Sequence, residues 1–360
     1  MKFFLKNYML FLTALSISLM PVESVAAQTV SPESTYSASS KHKVKYSKRK
    51  KVSYKRAKAR KARLKLRRQA LAKQRAIDLG EHYDGSSMPR LASNKVLVIN
   101  QNTGEVEFAK NTRTPAPIAS ITKLMTAMVV LDAQQSMDEM IYISDQDVDT
   151  IKGTRSRLPI GTELSRAIML QLALMSSENR AAFALSTNYP GGRNAFVRAM
   201  NIKAQSLGLT NTTFAEPTGL MHENISTAED LYRLVSVAHQ YPEIRHATTM
   251  PSDEIYIDAR DKFIKFKNTN SLVRMESWDI GLSKTGYISE AGRCLVMQTV
   301  IAGEPMIVVL LDAAGTNKRT GDVNRVRKWI EFNNNTVLAR EADGLAPKLV
   351  MSDTIYAASQ

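Results

Sequence analysis

A serine hydroxyl becomes a useful nucleophile only when a base takes its proton, and a lysine can be that base once its pKa has fallen. The stretch PIASITKLMTAMVVLDA (Pro117–Ala133) holds such a couple, Ser120 and Lys123. Positions i and i+3 share one face of a helix, so the two side chains can hydrogen-bond. A surface helix scatters its lysines towards water, whereas this one is apolar around its single lysine, with Leu124, Met125 and Met128 as neighbours. Burial among them disfavours the ammonium form, as a lysine base requires. The start of the same helix also directs backbone N–H groups at an arriving oxygen.

Two more short patterns follow in order, Ser177-Glu178-Asn179 and Lys284-Thr285-Gly286. Each pattern is weak alone, since Ser47 to Lys50 is also Ser-x-x-Lys and Ser186-Thr187-Asn188 is also Ser-x-Asn. The first decoy lies in a run of charge and the second lacks an apolar frame ahead of it, so context selects the set. Other chemistries find little support. The five histidines form no His-Glu-x-x-His, the lone Cys294 cannot build a zinc knuckle, and no Gly-x-Ser-x-Gly elbow or phosphate-cradling glycine loop occurs. Neither a metal nor a cofactor is expected. Cys294, in the strand-like RCLVMQTVI, reads as a buried core thiol with no disulfide partner in the chain. His222-Glu223 reads as loop, and Glu216 in EPTGL as a turn residue ahead of Gly219.

The elements that must position these residues change character along the chain. Asn94–Asn111 reads as two strands around Asn102-Thr103-Gly104. The Ser120 helix follows, then a polar, turn-rich stretch (Tyr142–Ser165), an apolar helix from Ser165 to Thr187 interrupted at Ser176–Asn179, and an amphipathic helix from Asn194 to Leu209. Ser226–Tyr241 opens like a capping box, Ser226 with Glu229. Asp261–Asn270, Ile280–Ser289, Arg293–Gly303 and Pro305–Ala313 are strand-like, and Val323–Phe332 closes with a helix. Strands at both ends around a helical middle predict an α+β fold, one antiparallel sheet built from both ends of the domain and covered by helices, with a helical subdomain in the middle.

Charge is concentrated in one place. The chain of 360 residues carries 49 Lys/Arg against 34 Asp/Glu, a formal +15. Lys41–Arg75 holds 18 of those basic residues and no acid, leaving 31 basic against 34 acidic elsewhere. With no clean apolar stripe this segment is expected not to fold alone, although a transient helix is compatible with Tyr54–Arg75. Ahead of it, Lys2 and Lys6, the short apolar Tyr8–Met20 and the small residues Val25–Ala27 read as a secretory signal peptide, with a retained anchor as the alternative. Behind such a signal the polyanions within reach are anionic envelope polymers or lipid headgroups, and nucleic acid is not expected. The division is therefore 1–27 signal peptide, 28–90 basic arm and linker with the joint at Leu79–Ser93, 91–332 catalytic domain and 333–360 C-terminal tail. A periplasmic enzyme, peripheral to the envelope if the arm grips it, is the expected form.

The ordered trio resembles that of the penicillin-binding proteins and serine β-lactamases. Its surroundings, ASITKLMTAMVVLDA, LALMSSENRAA, FVRAMNIKAQSLGL, EPTGL and LSKTGY, are most similar to the low-molecular-mass serine D-alanyl-D-alanine peptidases, over roughly Leu91 to Phe332. SSENRAA and the run from Asn268 to Met297 look most like the D-alanyl-D-alanine endopeptidase branch. The resemblance implies a catalytic set of Ser120, Lys123, Ser177 and Asn179, with Ser177 relaying a proton between Lys123 and the leaving amine and Asn179 holding Lys123 and the substrate amide. It implies substrate binding by Lys284, Thr285, Gly286 and Tyr287, a second cation at Lys284 that helps depress Lys123, and an oxyanion hole from the N–H groups of Ser120 and Tyr287. Peptidoglycan peptides would be the substrates and β-lactams covalent inhibitors. Endopeptidase and carboxypeptidase activity need the same chemistry, so both stay open. A serine β-lactamase needs rapid deacylation, in one large class through a dedicated glutamate, and no Glu-x-x-x-Asn lies between the second and third motifs. A catalytically dead binding protein is the remaining class, disfavoured by the intact trio.

Overall fold

A computed structural model describes residues 41–315 and 317–342, so the expected signal peptide and the end of the C-terminal tail lie outside the described residues. In chain order the described elements are α1 (Lys41–Asp78), β1 (Ser93–Asn100), β2 (Val106–Lys110), β3 (Ala116–Pro117), α2 (Lys123–Asp132), β4 (Met140–Tyr142), β5 (Glu163–Ser165), α3 (Arg166–Met175), α4 (Asn179–Thr187) and α5 (Gly192–Ser206). Then come β6 (Ile225–Ser226), α6 (Ala228–Ala238), α7 (Pro242–Thr249), β7 (Ser252–Ile257), β8 (Lys262–Lys267), β9 (Ile280–Ile288), β10 (Gly292–Ile301), β11 (Glu304–Ala313) and α8 (Lys318–Ala342). The chain divides into two units, one ending at Lys65 and the other beginning at Leu66.

The central sheet is antiparallel, in the order β2-β1-β11-β10-β9. Strands from the two ends of the domain meet where β1 pairs with β11, Val98 opposite Val308. Both faces of this sheet are covered, which is why β1 and β11 read as nearly unbroken apolar runs instead of alternating ones. On one face Leu97, Ile99, Val296 and Val309 pack with the buried residues of α2, α3, α4 and α6. On the other, Val96, Val98, Met297 and Val308 pack with Val323, Val326 and Ile330 of α8. β9 is an edge strand of this sheet. Helix α2 is buried along Lys123–Val130, so it is apolar all round, as a core helix must be.

Three local features differ from the sequence reading. The cap of α6 is Thr227, whose hydroxyl accepts from the Asp230 N–H at 3.2 Å, rather than Ser226. Ser226 is drawn into β6, its hydroxyl 2.8 Å from that of Thr212, and Glu229 turns away to Thr112 and Arg113. A cap of this kind contributes about 1 kcal/mol. β8 falls within the strand-like Asp261–Asn270, but its hairpin partner β7 and the eight-residue α7 were not anticipated as elements. The basic segment, expected not to fold alone, is a continuous helix to Asp78, consistent with its Ala, Leu, Lys and Arg content.

The end of α1 is tied down within the second unit. Lys318 Nζ bonds the Asp78 carboxylate at 2.5 Å, Asn324 Nδ2 donates to the Leu79 carbonyl at 2.8 Å, and Arg325 donates to the Ile77 carbonyl at 2.6 Å. Asn324 and Arg325 thereby satisfy carbonyls that a helix C-terminus leaves without partners. Helix α8 continues to Ala342, ten residues past the expected end of the domain. No helix among the described residues is long and apolar enough to cross a membrane.

Candidate active site

Ser120 sits in a single 3-10 turn, Ala119–Thr122, that runs straight into α2. Its position is set by main chain. Ala119 has φ +47°, a left-handed conformation that strains a residue with a Cβ. Two glycines wall it in: a Cβ on Gly219 would stand 1.9 Å from the Ala119 carbonyl oxygen, and one on Gly286 would stand 2.9 Å from the Ile118 oxygen and 3.1 Å from the Ser120 nitrogen. Gly286 thereby lets the edge strand β9 lie against the backbone of the serine.

Lys123 is wholly buried. Its amine lies 3.0 Å from Ser120 Oγ, 2.8 Å from Asn179 Oδ1 and 2.7 Å from the Thr218 carbonyl oxygen. The two oxygens other than Oγ hold the nitrogen in place, whichever of Nζ and Oγ carries the shared proton. Burial lowers the amine from 10.5 to about 8, against the opposing pull of Glu216, Glu178 and Asp149. About a tenth of it is then neutral at pH 7, enough for a base.

Ser177 bridges α3 and α4 at φ +59°. Its hydroxyl accepts from Lys284 Nζ at 3.0 Å, and that amine also donates to the Thr285 carbonyl at 3.1 Å. Lys284 is buried, and desolvation, with the charges of Lys123 and Arg319, pushes it well below the ordinary lysine range. The charge repulsion expected at Lys123 is therefore felt at Lys284, while Lys123 owes its downward shift to burial. Ser177 bonds Lys284 rather than Lys123, so the hydroxyl assigned to a relay rests on the third motif. Thr285 Oγ1 bonds Thr269 Oγ1 at 2.7 Å, and Tyr287 is exposed, with the Arg293 guanidinium 4.6 Å from its ring centre. Ser120, Ser177, Asn179, Thr285, Tyr287 and Arg319 are among the residues lining a cleft of about 490 Å³.

Several residues of this neighbourhood carried no signal in the sequence. Asn179 Nδ2 donates to Thr154 Oγ1 at 2.9 Å, and Thr154 is held by the Asp149 carboxylate, which accepts from the N–H groups of Ile151, Lys152 and Thr154. Glu178, buried at the cap of α4, accepts from Ser156 Oγ at 2.6 Å and Arg157 Nε at 2.7 Å. Lys152 of the same loop pairs with Glu290 in the β9–β10 turn across the cleft. Arg319 donates to the Cys294 carbonyl at 3.0 Å. The polar, turn-rich composition of 142–165 marks a loop, but its partners lie too far along the chain to be inferred. Cys294 is buried, and burial raises its thiol to about 11, so it stays protonated.

Residues 83–315 match the family model for D-alanyl-D-alanine carboxypeptidase. The chain belongs to that family of serine peptidases. It is 47% identical over 252 residues to a D-alanyl-D-alanine endopeptidase of Pseudomonas aeruginosa, covering 70% of this chain and 81% of that protein. It is 46% identical over 246 residues to the D-alanyl-D-alanine endopeptidase of Escherichia coli, covering 68% and 79%. Among solved structures it is similar to the Streptomyces K15 DD-transpeptidase, with TM-score 0.63 and 26% identity over 68% of this chain and 98% of that one. The serine DD-peptidase fold and the α+β sheet built from both ends thus agree with the expectation from sequence.

Proposed function

We propose that this protein opens peptidoglycan crosslinks as a serine D-alanyl-D-alanine endopeptidase, through an acyl-enzyme on Ser120. The observation that carries the reading is the buried Lys123 amine 3.0 Å from the Ser120 hydroxyl, at a cleft whose far wall is the edge strand β9. The neutral amine takes the hydroxyl proton as Oγ bonds to the carbonyl carbon of a D-Ala residue. The N–H groups of Ser120 and Tyr287 receive the oxyanion. As the intermediate collapses, the carbon–nitrogen bond breaks and the leaving amine takes a proton from Lys123, by way of Ser177. Water, deprotonated by the same lysine, then attacks the ester carbon; the carbon–Oγ bond breaks, the acid product leaves, and the lysine returns the proton to Oγ. Lys284 and Thr285 meet the carboxylate end of the substrate, which lies along β9 as an added strand. An arriving carboxylate favours the charged form of Lys284.

The endopeptidase assignment rests on the relatives of that name, which are 46–47% identical to this chain. Carboxypeptidase relatives match at lower identity, as in Bacillus subtilis at 30%. Incubation with purified crosslinked muropeptide dimers tests the choice: monomers should accumulate in the wild type and not in Ser120→Ala. Release of free D-Ala from pentapeptide monomers, with dimers left whole, would replace it with the carboxypeptidase reading. The same serine should be acylated by penicillin, and the ester should persist for want of a dedicated deacylating glutamate. The exported, periplasmic setting follows from the signal-like residues 1–27, and an anionic polymer or lipid headgroup at the envelope is the partner that the cations of Lys41–Arg75 fit.

A further inference from the structure

Beneath the catalytic lysine lies a carboxylate that the mechanism above does not use. Glu216 is buried, and among the described residues it has no ion-pair partner within 4.0 Å. It is nonetheless saturated with donors. One oxygen accepts from the Thr218 N–H at 2.7 Å and the Thr218 hydroxyl at 2.5 Å. The other accepts from the N–H groups of Gly219 at 2.5 Å and Leu220 at 2.8 Å, and from Asn224 Nδ2 at 3.2 Å. Such a nest fixes the turn 216–220, and the turn carries the Thr218 carbonyl that receives the Lys123 amine at 2.7 Å.

The turn is fastened to α2 on both sides of that lysine. Thr126 Oγ1 donates to the Pro217 carbonyl at 2.6 Å, and Asn224 Nδ2 donates to Thr122 Oγ1 at 3.0 Å. Thr122 in turn donates to the Ala119 carbonyl at 2.8 Å, next to the nucleophile. Gly219 of the same turn is the residue pressed on Ala119. Both carboxylate oxygens are taken up by N–H and O–H donors that a single amide oxygen could not all receive, so the nest fits the ionised side chain. Its field falls on two cations, the Lys123 amine and the Arg193 guanidinium.

We propose that Glu216 is a positioning residue for the lysine base, holding the Thr218 carbonyl against Lys123 and placing a fixed negative charge behind that amine. This rests on the proposed role of Lys123. Three carboxylates act at the amine, Glu216 from the turn, Glu178 from the cap of α4 and Asp149 from the 142–165 loop, while the repulsion between Lys123 and Lys284 of β9 is felt at Lys284. The three carboxylates oppose the burial that would otherwise strip the proton too readily, with Glu216 first among them. A buried lysine without that counterweight is neutral but too weak a base to hold the hydroxyl proton, and the best catalytic base titrates near the working pH.

The test is the pH profile of acylation by a fluorescent penicillin, measured on full-length wild type, Glu216→Gln and Glu216→Asp, each with a thermal melt. Glu216→Gln keeps one acceptor oxygen, turns an NH2 towards the donors of the other, and loses the charge. Its acid-side midpoint should move down by about half a pH unit or more, and its alkaline plateau should fall. Glu216→Asp keeps the charge on a shorter arm, so its plateau should fall while its midpoint stays near wild type. A folded Glu216→Gln with an unmoved midpoint overturns the proposal, as does failure of both variants to fold, which would leave Glu216 a structural turn residue only. Ser120→Ala separates the two levels: if it still labels, the assignment of the nucleophile falls and this inference with it. If it does not label and the Glu216→Gln midpoint is unmoved, the inference alone falls.

Discussion

The molecule uses cations in two opposite ways. Within the peptidase domain Lys123 and Lys284 are buried, each nitrogen is directed at named oxygens, and desolvation drives both below the ordinary range. Along α1, Arg56, Arg60, Lys61, Arg67 and their neighbours stand exposed, without an acid among them from Lys41 to Arg75. One lysine type therefore stands with its nitrogen fixed on named oxygens where water is excluded, and as an exposed positive charge where it is not. The difference is made by the surroundings.

That contrast breaks most visibly if Lys123 is replaced. Lys123→Ala should lower the rate of penicillin acylation by about 10²–10⁴-fold, the range for losing a positioned base, with no change in retention on anionic envelope material. Equal labelling of the variant and the wild type would remove the distinction between the two kinds of cation. A smaller effect sharpens it. With Lys123 at about 8, the base is the deprotonated amine, so wild-type acylation should rise about tenfold from pH 6 to pH 7 and level off above 8. A profile flat from pH 6 to 9 would mean that the amine is not titrating in the rate-limiting step. Least is expected of single changes in α1. Lys61→Gln should weaken binding to vesicles of anionic lipid by no more than about 1 kcal/mol, and added salt should weaken the wild type further. Acylation should be untouched. Retention that ignores salt would sink the electrostatic reading of the helix.

Sequence alone exposed the trio because its chemistry is written in residue types at short spacing: Ser120 with Lys123, Ser177 with Asn179, Lys284 with Thr285 and Gly286. The sheet was visible as well, since β10 and β11 are dense apolar runs joined by short turns to each other and to the strand-like β9. What escaped acts through main chain or across long separations. Thr218 contributes a carbonyl, which every residue possesses, and its distance of 95 positions from Lys123 leaves no local pattern. Thr154 reaches Asn179 only because Asp149 folds the loop beneath it. Glu216 looked like a turn residue, and it is one, but the turn belongs to the base. Ser226 lost the capping role to Thr227 because β6 and Thr212 compete for its hydroxyl. The docking of Asp78 on Lys318, 240 residues on, follows no periodicity that a single chain displays.

The two hydrogens that stand in for side chains at 219 and 286 have a longer consequence. They fence the main chain of residues 118–120, so the backbone that carries the Ser120 hydroxyl is located independently of which side chains border the groove. The outline of that border is free to change from one relative to the next while the peptide beneath the hydroxyl keeps its station.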